Sequence, residues 1–511
     1  MIKDKTLTRK KRPPVISTAL CAVLVLAAFL CFYAAKWYVS VYGRMGFDSV
    51  LYTLFNNLGG VQIGLVTSFL GAVLPPALCG TALVCFILFF RSKKKIVLTL
   101  FGKLRIHLLP MRRAISIVIC LAASMGLILH AAVDVDLLDY LESLSHASTL
   151  FEDEYRDPDN VQITFPEQKR NLIYIFMESM ETTFFSQEDG GALEYNAIPE
   201  LYTLAQNNIN FSHSNDVGGF GYAPGTNWTV AAMVAQTSGV PLKTPPGIDG
   251  NSYGQDGVFL PGLTTLGDIL HENGYYQTLM VGSDSSFGGR YQYYTQHHTD
   301  MVYDVYTARE DGIIPEDYYA WWGMEDKYLY EYAKQELTSI AQQDQPFAFS
   351  MLTVDTHHIG GYVCEYCENT HAEQYENVYS CASRQLNEFV EWLQQQDFYE
   401  NTTIVIAGDH PSMDSGYIER RVGDYSRKVY NCFINAAAEP VSQTYRIFSP
   451  MDMFPTTLAA MGCQIEGDRL GLGTNLFSEL PTLAEELGYQ PFCEALKNSS
   501  IYYAQNFYFI N

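Results

Sequence analysis

Basic residues are scarce over most of this chain, and that scarcity excludes one class of partner at once. From residue 151 to the C-terminus there are 16 Lys and Arg against 50 Asp and Glu. A domain so acidic has no cationic face with which to grip nucleic-acid phosphates. Charge will not hold it to an anionic membrane either. Long apolar runs are absent beyond Val133, so this part reads as a water-soluble domain. Internal repeats and low-complexity tracts are missing too. Cys364-x-x-Cys367 has the spacing of half a zinc site but lacks a second half. With Cys381 close by in sequence, the reading is a local disulfide involving Cys381.

What the chain does have is apolar sequence concentrated at its N-terminus. Val15 to Tyr38, Ile63 to Phe90 and Ala114 to Val133 each match the roughly 20 residues that a bilayer-crossing helix needs. Lys3, Lys5, Arg9, Lys10, Lys11 and Arg12 precede the first run. Arg91, Lys93, Lys94, Lys95, Lys103, Arg105, Arg112 and Arg113 lie between the second and third. The first loop holds only Lys36 and Arg44 as bases. By the positive-inside rule the N-terminus and second loop are cytoplasmic, and the chain emerges on the extracytoplasmic side after the third span. The expected organisation is a membrane domain over 1–134, a linker over 135–170 and an extracytoplasmic domain over 171–511. Met45 to Gly60 lies at the membrane interface or re-enters it.

Past residue 170, short apolar runs alternate with helical patterns. Asn171 to Met177, Tyr276 to Val281, Phe347 to Val354 and Thr402 to Ala407 read as strands. Helices are expected from Pro199, over Leu263 to Asn273, over Glu325 to Gln342, and around Leu386, Phe389, Val390 and Leu393. Such alternation implies an α/β domain with a mostly parallel sheet flanked by helices.

The residues after each strand carry the chemistry. Glu178-Ser179, Ser283-Asp284, Asp355-Thr356-His357-His358 and Gly408-Asp409-His410 follow the four strands in turn. In open α/β sheets ligands bind beyond the carboxyl ends of the strands. Four separate segments therefore deliver Glu, Asp and His to one edge, a set that suits a divalent ion such as Mn²⁺ or Zn²⁺. Gly225-Thr226-Asn227-Trp228-Thr229 supplies a hydroxyl ahead of the helical stretch Val230 to Thr237, whose N-terminus favours an anionic phosphate. Blander roles stand beside these. Asp409-His410 makes a simple turn, Glu178 caps a helix with Glu181 solvated beside it, and Thr226 is only an N-cap.

Met-Glu178-Ser, Gly-Thr226-Asn-Trp-Thr, Gly-Asp409-His410 and Asp452-Met-Phe-Pro-Thr-Thr-Leu together resemble the lipoteichoic acid synthase and phosphoglycerol transferase I family. That family is a sulfatase-like branch of the alkaline phosphatase superfamily. The likeness runs over about residues 150 to 480, and Gly467-Asp-Arg-Leu-Gly-Leu-Gly-Thr474 belongs to it. The Cys/Ser-x-Pro-x-Arg nucleophile motif of true sulfatases is absent. The lipoteichoic members carry Trp where this chain has Gly288, place their acidic residue one position from Asp284, and usually have five spans.

The resemblance implies a site. Glu178, Thr226, Asp409 and His410 would form the metal shell, with Mn²⁺ expected and Zn²⁺ or Mg²⁺ as rivals. Thr226 would be the nucleophile and His357 the proton carrier, with His358 its alternative by the substrate. Arg290 and Asp284 would contact the head group. The implied reaction moves phosphoglycerol from phosphatidylglycerol to a polymer, glycolipid or glucan through a phospho-threonine, releasing diacylglycerol. A phosphoethanolamine transferase and a non-catalytic head-group-binding membrane protein are the competing readings.

Overall fold

The computed structural model describes residues 14–42, 47, 50, 63–89, 96–100, 104–108, 113–243, 257–318, 320, 321, 323–357 and 359–508. His358 and nearly all of the 45–60 segment therefore lie outside the described residues. The chain divides into two compact units: Met1–Phe47 with Val61–Leu138, and Asp48–Gly60 with Asp139–Asn511.

In the first unit, α1 (Pro14–Tyr42), α2 (Ile63–Phe89) and α3 (Arg113–Asp134) are the long apolar helices. Each is long and apolar enough to cross a membrane, with mean hydropathy of 2.4, 2.2 and 2.2 in turn. At most 22% of each apolar stretch is buried within the protein, so the remaining apolar surface needs lipid around it. This is a membrane protein. Lys36 of α1 pairs with Asp134 of α3 at 3.0 Å. A short hairpin pairs Ile96–Leu100 with Leu104–Leu108 between α2 and α3, an element that the Lys-rich sequence around it conceals.

The second unit is built on seven strands: β1 (Asn171–Met177), β2 (Gly219–Phe220), β3 (Tyr276–Val281), β4 (Met301–Tyr303), β5 (Phe347–Leu352), β6 (Thr402–Gly408) and β7 (Val429–Ile434). Their order is β2-β7-β6-β1-β5-β3-β4. The pairs β6-β1, β1-β5, β5-β3 and β3-β4 are parallel, and β7 runs antiparallel to its two neighbours.

Every residue of β1 is buried, because helices cover both faces of the sheet. Leu172, Tyr174 and Phe176 point into one core, Ile173, Ile175 and Met177 into the other. The period of two in a strand divides them so. Each such side chain contributes about 1.5–3 kcal/mol by leaving water. On the first face lie α5 (Thr229–Ser238), α6 (Leu266–Glu272) and Met453–Ala460. On the second lie α4 (Pro199–Asn207), α7 (Asp326–Ile340) and α8 (Gln374–Leu393). Helix α6 starts with a Thr265–Asp268 capping box, three residues later than the apolar pattern suggests.

The stretch 135–170 is not a free linker. It contains helix Leu150–Glu154, whose Leu150 and Phe151 are buried in the first core, and Ile163–Thr164 pairs with Gln464–Ile465.

Candidate active site

Parallel register brings Glu178 and Asp409 together. Met177 pairs with Gly408 at the ends of β1 and β6, so Glu178 and Asp409 leave adjacent strands at the same level. The glycine is needed there, because a Cβ on Gly408 would sit 2.0 Å from the Met180 carbonyl oxygen. Ser179 takes a left-handed backbone, φ 56°, and its N–H donates to Asp409 Oδ1 at 2.7 Å. The His410 N–H donates to the same oxygen at 2.7 Å. Glu178 is fixed through its own backbone: its N–H donates to Thr353 Oγ1 (3.0 Å) and its carbonyl accepts from Thr356 Oγ1 (2.5 Å).

The side chains then converge. Glu178, Asp409 and His410 are all buried, and each offers an oxygen or nitrogen atom within 4.8 Å of the others. His410 Nδ1 bonds the Pro411 carbonyl at 2.9 Å, so that nitrogen carries the proton. Its Nε2 faces Asp409 Oδ2 at 3.3 Å and Glu178 Oε1 at 3.8 Å. Asp409 Oδ2 is buried and has no hydrogen-bond donor. Burial first, and then the Asp409 carboxylate, push the Glu178 acid well above its ordinary range. Two carboxylates and an imidazole crowd together here, and a divalent cation fits that donor set.

The threonines are arranged differently from expectation. Thr226 is fully buried, and its hydroxyl is committed to its own turn: it donates to the Ala223 carbonyl (2.8 Å) and accepts from the Ala223 N–H (2.9 Å). The hydroxyl beside Glu178 and His410 belongs to Thr229. Its Oγ1 lies 3.4 Å from Glu178 Oε2 and 3.4 Å from His410 Nε2, and the residue is only half-buried. Thr229 is the first residue of α5, so it stands among the unpaired N–H groups of a helix N-terminus. The helix is aimed by Gln236, which accepts from Tyr174 of β1 (2.8 Å) and donates to the Gly408 carbonyl of β6 (3.0 Å). The sequence signal for Thr229 was there, a second threonine immediately ahead of the apolar run Val230 to Val234.

His357 sits half-buried on the loop after β5, next to Thr356, which bonds Glu178, and the Trp321 ring meets its imidazole edge-on at 5.9 Å. Arg290 is buried. Successive left-handed glycines, Gly288 and Gly289, deliver it, and its guanidinium donates to Phe287 O (3.0 Å), Ser283 Oγ (3.0 Å) and Asp284 O (2.6 Å). Its charge reaches Glu178 and opposes the upward push of burial. The Asp284 carboxylate accepts from Ser286 and, at 3.2 Å, from the Tyr306 hydroxyl.

Glu181 is not solvated as its sequence position suggested. It is buried and accepts from Arg427 Nε (2.8 Å), Arg427 Nη2 (2.5 Å) and the Ser412 N–H (3.0 Å), which ties down the turn that follows His410. From beneath, α8 sends up Tyr375 to the Thr356 carbonyl (2.8 Å) and Ser412 Oγ (2.7 Å), and Tyr379 to the Ser179 carbonyl (2.7 Å). Two tyrosines one helical turn apart thus hold the loops after β1, β5 and β6.

A model of the sulfatase family matches residues 170–463, more than half of the 511-residue chain. The chain belongs to the sulfatase family. This sulfatase-family chain is 32% identical over 323 residues to phosphoglycerol transferase I of Xanthomonas campestris pv. campestris (strain B100), covering 61% of this chain and 43% of that protein. It thus matches less than half the length of that relative. Among solved structures it resembles a protein in the alkaline phosphatase superfamily from Vibrio parahaemolyticus, with TM-score 0.50 and 19% identity over 65% of this chain and 76% of that one. It also resembles the integral membrane protein lipooligosaccharide phosphoethanolamine transferase A from Neisseria meningitidis, with TM-score 0.51 and 12% identity over 89% of this chain and 85% of that one. These two likenesses establish an alkaline-phosphatase-like fold in the sulfatase-family domain.

Proposed function

We propose that this membrane protein is a metal-dependent transferase that moves phosphoglycerol from phosphatidylglycerol to an extracytoplasmic acceptor, a polymer, glycolipid or glucan. The observation that carries the reading is the Thr229 hydroxyl, placed at a helix N-terminus against the buried Glu178, Asp409 and His410. The relative named phosphoglycerol transferase I supports the choice of phosphoglycerol as the group moved. The Lys- and Arg-rich segments before α1 and between α2 and α3 support a catalytic domain outside the cytoplasm.

A divalent ion held by Glu178, Asp409 and His410 supplies charge that lowers the pKa of a neighbouring hydroxyl and offsets the negative charge of a phosphate. Manganese is the first candidate and zinc or magnesium its rivals. Thr229 Oγ1, hydrogen-bonded toward Glu178 Oε2, gives up its proton in that direction as it attacks phosphorus. The N–H groups opening α5 receive the phosphate oxygens. The bond from phosphorus to the diacylglycerol oxygen breaks, and His357 protonates the departing oxygen. An acceptor hydroxyl, deprotonated by His357, then attacks the phosphoglyceryl-threonine and frees Thr229. Arg290 adds positive charge at the phosphate, and Asp284 stands on the head-group rim. Thr226 shapes the loop that presents Thr229.

The test is release of diacylglycerol from labelled phosphatidylglycerol by the purified full-length protein, with and without Mn²⁺. Metal-dependent release is expected. Release from phosphatidylethanolamine alone would reassign the chain as a phosphoethanolamine transferase. Binding of either lipid without release, by folded and metal-loaded protein, would make it a head-group-binding protein.

A further inference from the structure

The expected disulfide with Cys381 is not formed, and all the cysteines are free thiols. Three of them nevertheless meet. Cys364 Sγ lies 3.6 Å from Cys367 Sγ and 3.6 Å from Cys381 Sγ, and all three sulfurs fall within 4.8 Å of one another. Cys364 and Cys381 are buried and Cys367 half-buried.

We propose that these three cysteines form a second metal site, a thiolate cage for Zn²⁺ that staples the His357-bearing loop to α8. Zinc–sulfur bonds are about 2.3 Å long, so two sulfurs on a tetrahedral zinc stand roughly 3.8 Å apart. The two 3.6 Å separations match that edge. A disulfide takes only two sulfurs, and Cys364 is equidistant from both candidates, so pairing would strand a third thiol beside the bond. A metal uses all three. It leaves one tetrahedral position for water or an outside donor.

Gln385 Nε2 donates to Cys381 Sγ at 3.4 Å. The turn that makes this possible is closed by the Cys367 N–H on the Cys364 carbonyl at 3.1 Å. Asp355 nearby in the same loop is buried, and its Oδ2 has no hydrogen-bond donor. Three sulfurs gathered at this spacing suit a soft divalent cation.

The consequence is mechanical. Cys364 and Cys367 lie on the loop that leaves β5 through Asp355 and His357, whereas Cys381 lies within α8, the helix that carries Tyr375 and Tyr379. Zinc in the cage fixes that loop at two points on one helix, through Tyr375 and through the metal. The site is separate from the Glu178 cluster and does not depend on the reaction proposed for it.

The experiment measures zinc in the full-length protein carrying Asp409→Asn, which disables the other cluster, after equilibration with Zn²⁺ and desalting. The expected content is about one zinc per chain. In wild-type protein Cys364, Cys367 and Cys381 should resist alkylation until a chelator is added, then all three should react without reductant. Cobalt substitution should give a thiolate-to-metal charge-transfer band that Cys381→Ser removes. Two of the three thiols remaining unreactive in denaturant until reduced would show a disulfide and overturn the proposal. So would three freely alkylated thiols with no zinc bound.

Discussion

Thr229 Oγ1 and His410 Nε2 stand 3.4 Å apart, one at the head of a helix and the other beyond the end of a strand. That contact separates two threonines that the sequence offers as equals. Replacing Thr229 by Ala should lower turnover by at least about 10³-fold, as removal of a nucleophile does. Replacing Thr226 by Ala should leave turnover measurable and act mainly on stability, because among the described residues its hydroxyl bonds only Ala223. Steady-state kinetics and thermal melts of both variants decide between them.

Much of this was legible beforehand. Strand Asn171–Met177 could be bounded to the residue because an unbroken apolar run ends abruptly in Glu178. Glu178, Asp409 and His410 were readable as neighbours because parallel strands put their carboxyl ends at one edge. Thr229 was missed because a motif with threonines one helical turn apart does not say which hydroxyl faces outward; the 3.4 Å contacts do. Glu181 looked like a surface acid because its partner, Arg427, is 246 positions away. The cysteine cluster was visible as a cluster, but whether its sulfurs bond or surround a metal depends on distances that spacing cannot supply.

Acidity should couple stability to metal. Burial and Asp409 raise the folded-state pKa of Glu178 above its ordinary 4.5. Such a group contributes stability below the unfolded-state pKa and loses it as pH rises through the folded value. Asp326, raised by burial to about 7, acts with the same sign. Chelated protein should therefore melt at progressively lower temperature from about pH 4.5 to pH 7 and above. Metal should flatten the Glu178 share of that slope, and Glu178→Gln should remove it, as melting curves with and without chelator would show.

The Glu181–Arg427 pair carries the turn beyond His410. Arg427→Met leaves the Glu181 carboxylate buried and unpaired, and should cost about 3–5 kcal/mol in stability. Glu181→Leu together with Arg427→Met should recover most of that. Unfolding of the single and double variants, followed by tryptophan fluorescence, measures the difference.

Tyr375→Phe removes one hydroxyl that touches both the Thr356 carbonyl and Ser412 Oγ. The expected stability loss is about 0.5–1.5 kcal/mol. Because the two loops carry His357 and His410, kcat should fall more than KM rises. A change in KM alone would show that Tyr375 acts on binding and not on the alignment of the site.

Thr229 is the residue we propose as acceptor of the phosphoglyceryl group. The most direct measurement is peptide mass spectrometry of full-length protein mixed with phosphatidylglycerol and metal, quenched in acid before acceptor is added. One phosphoglycerol unit is expected on the peptide that contains Thr229, with fragment ions placing it on that residue, and none in the Thr229→Ala variant. The same adduct on Thr226, or diacylglycerol release with no adduct on either threonine, would contradict it.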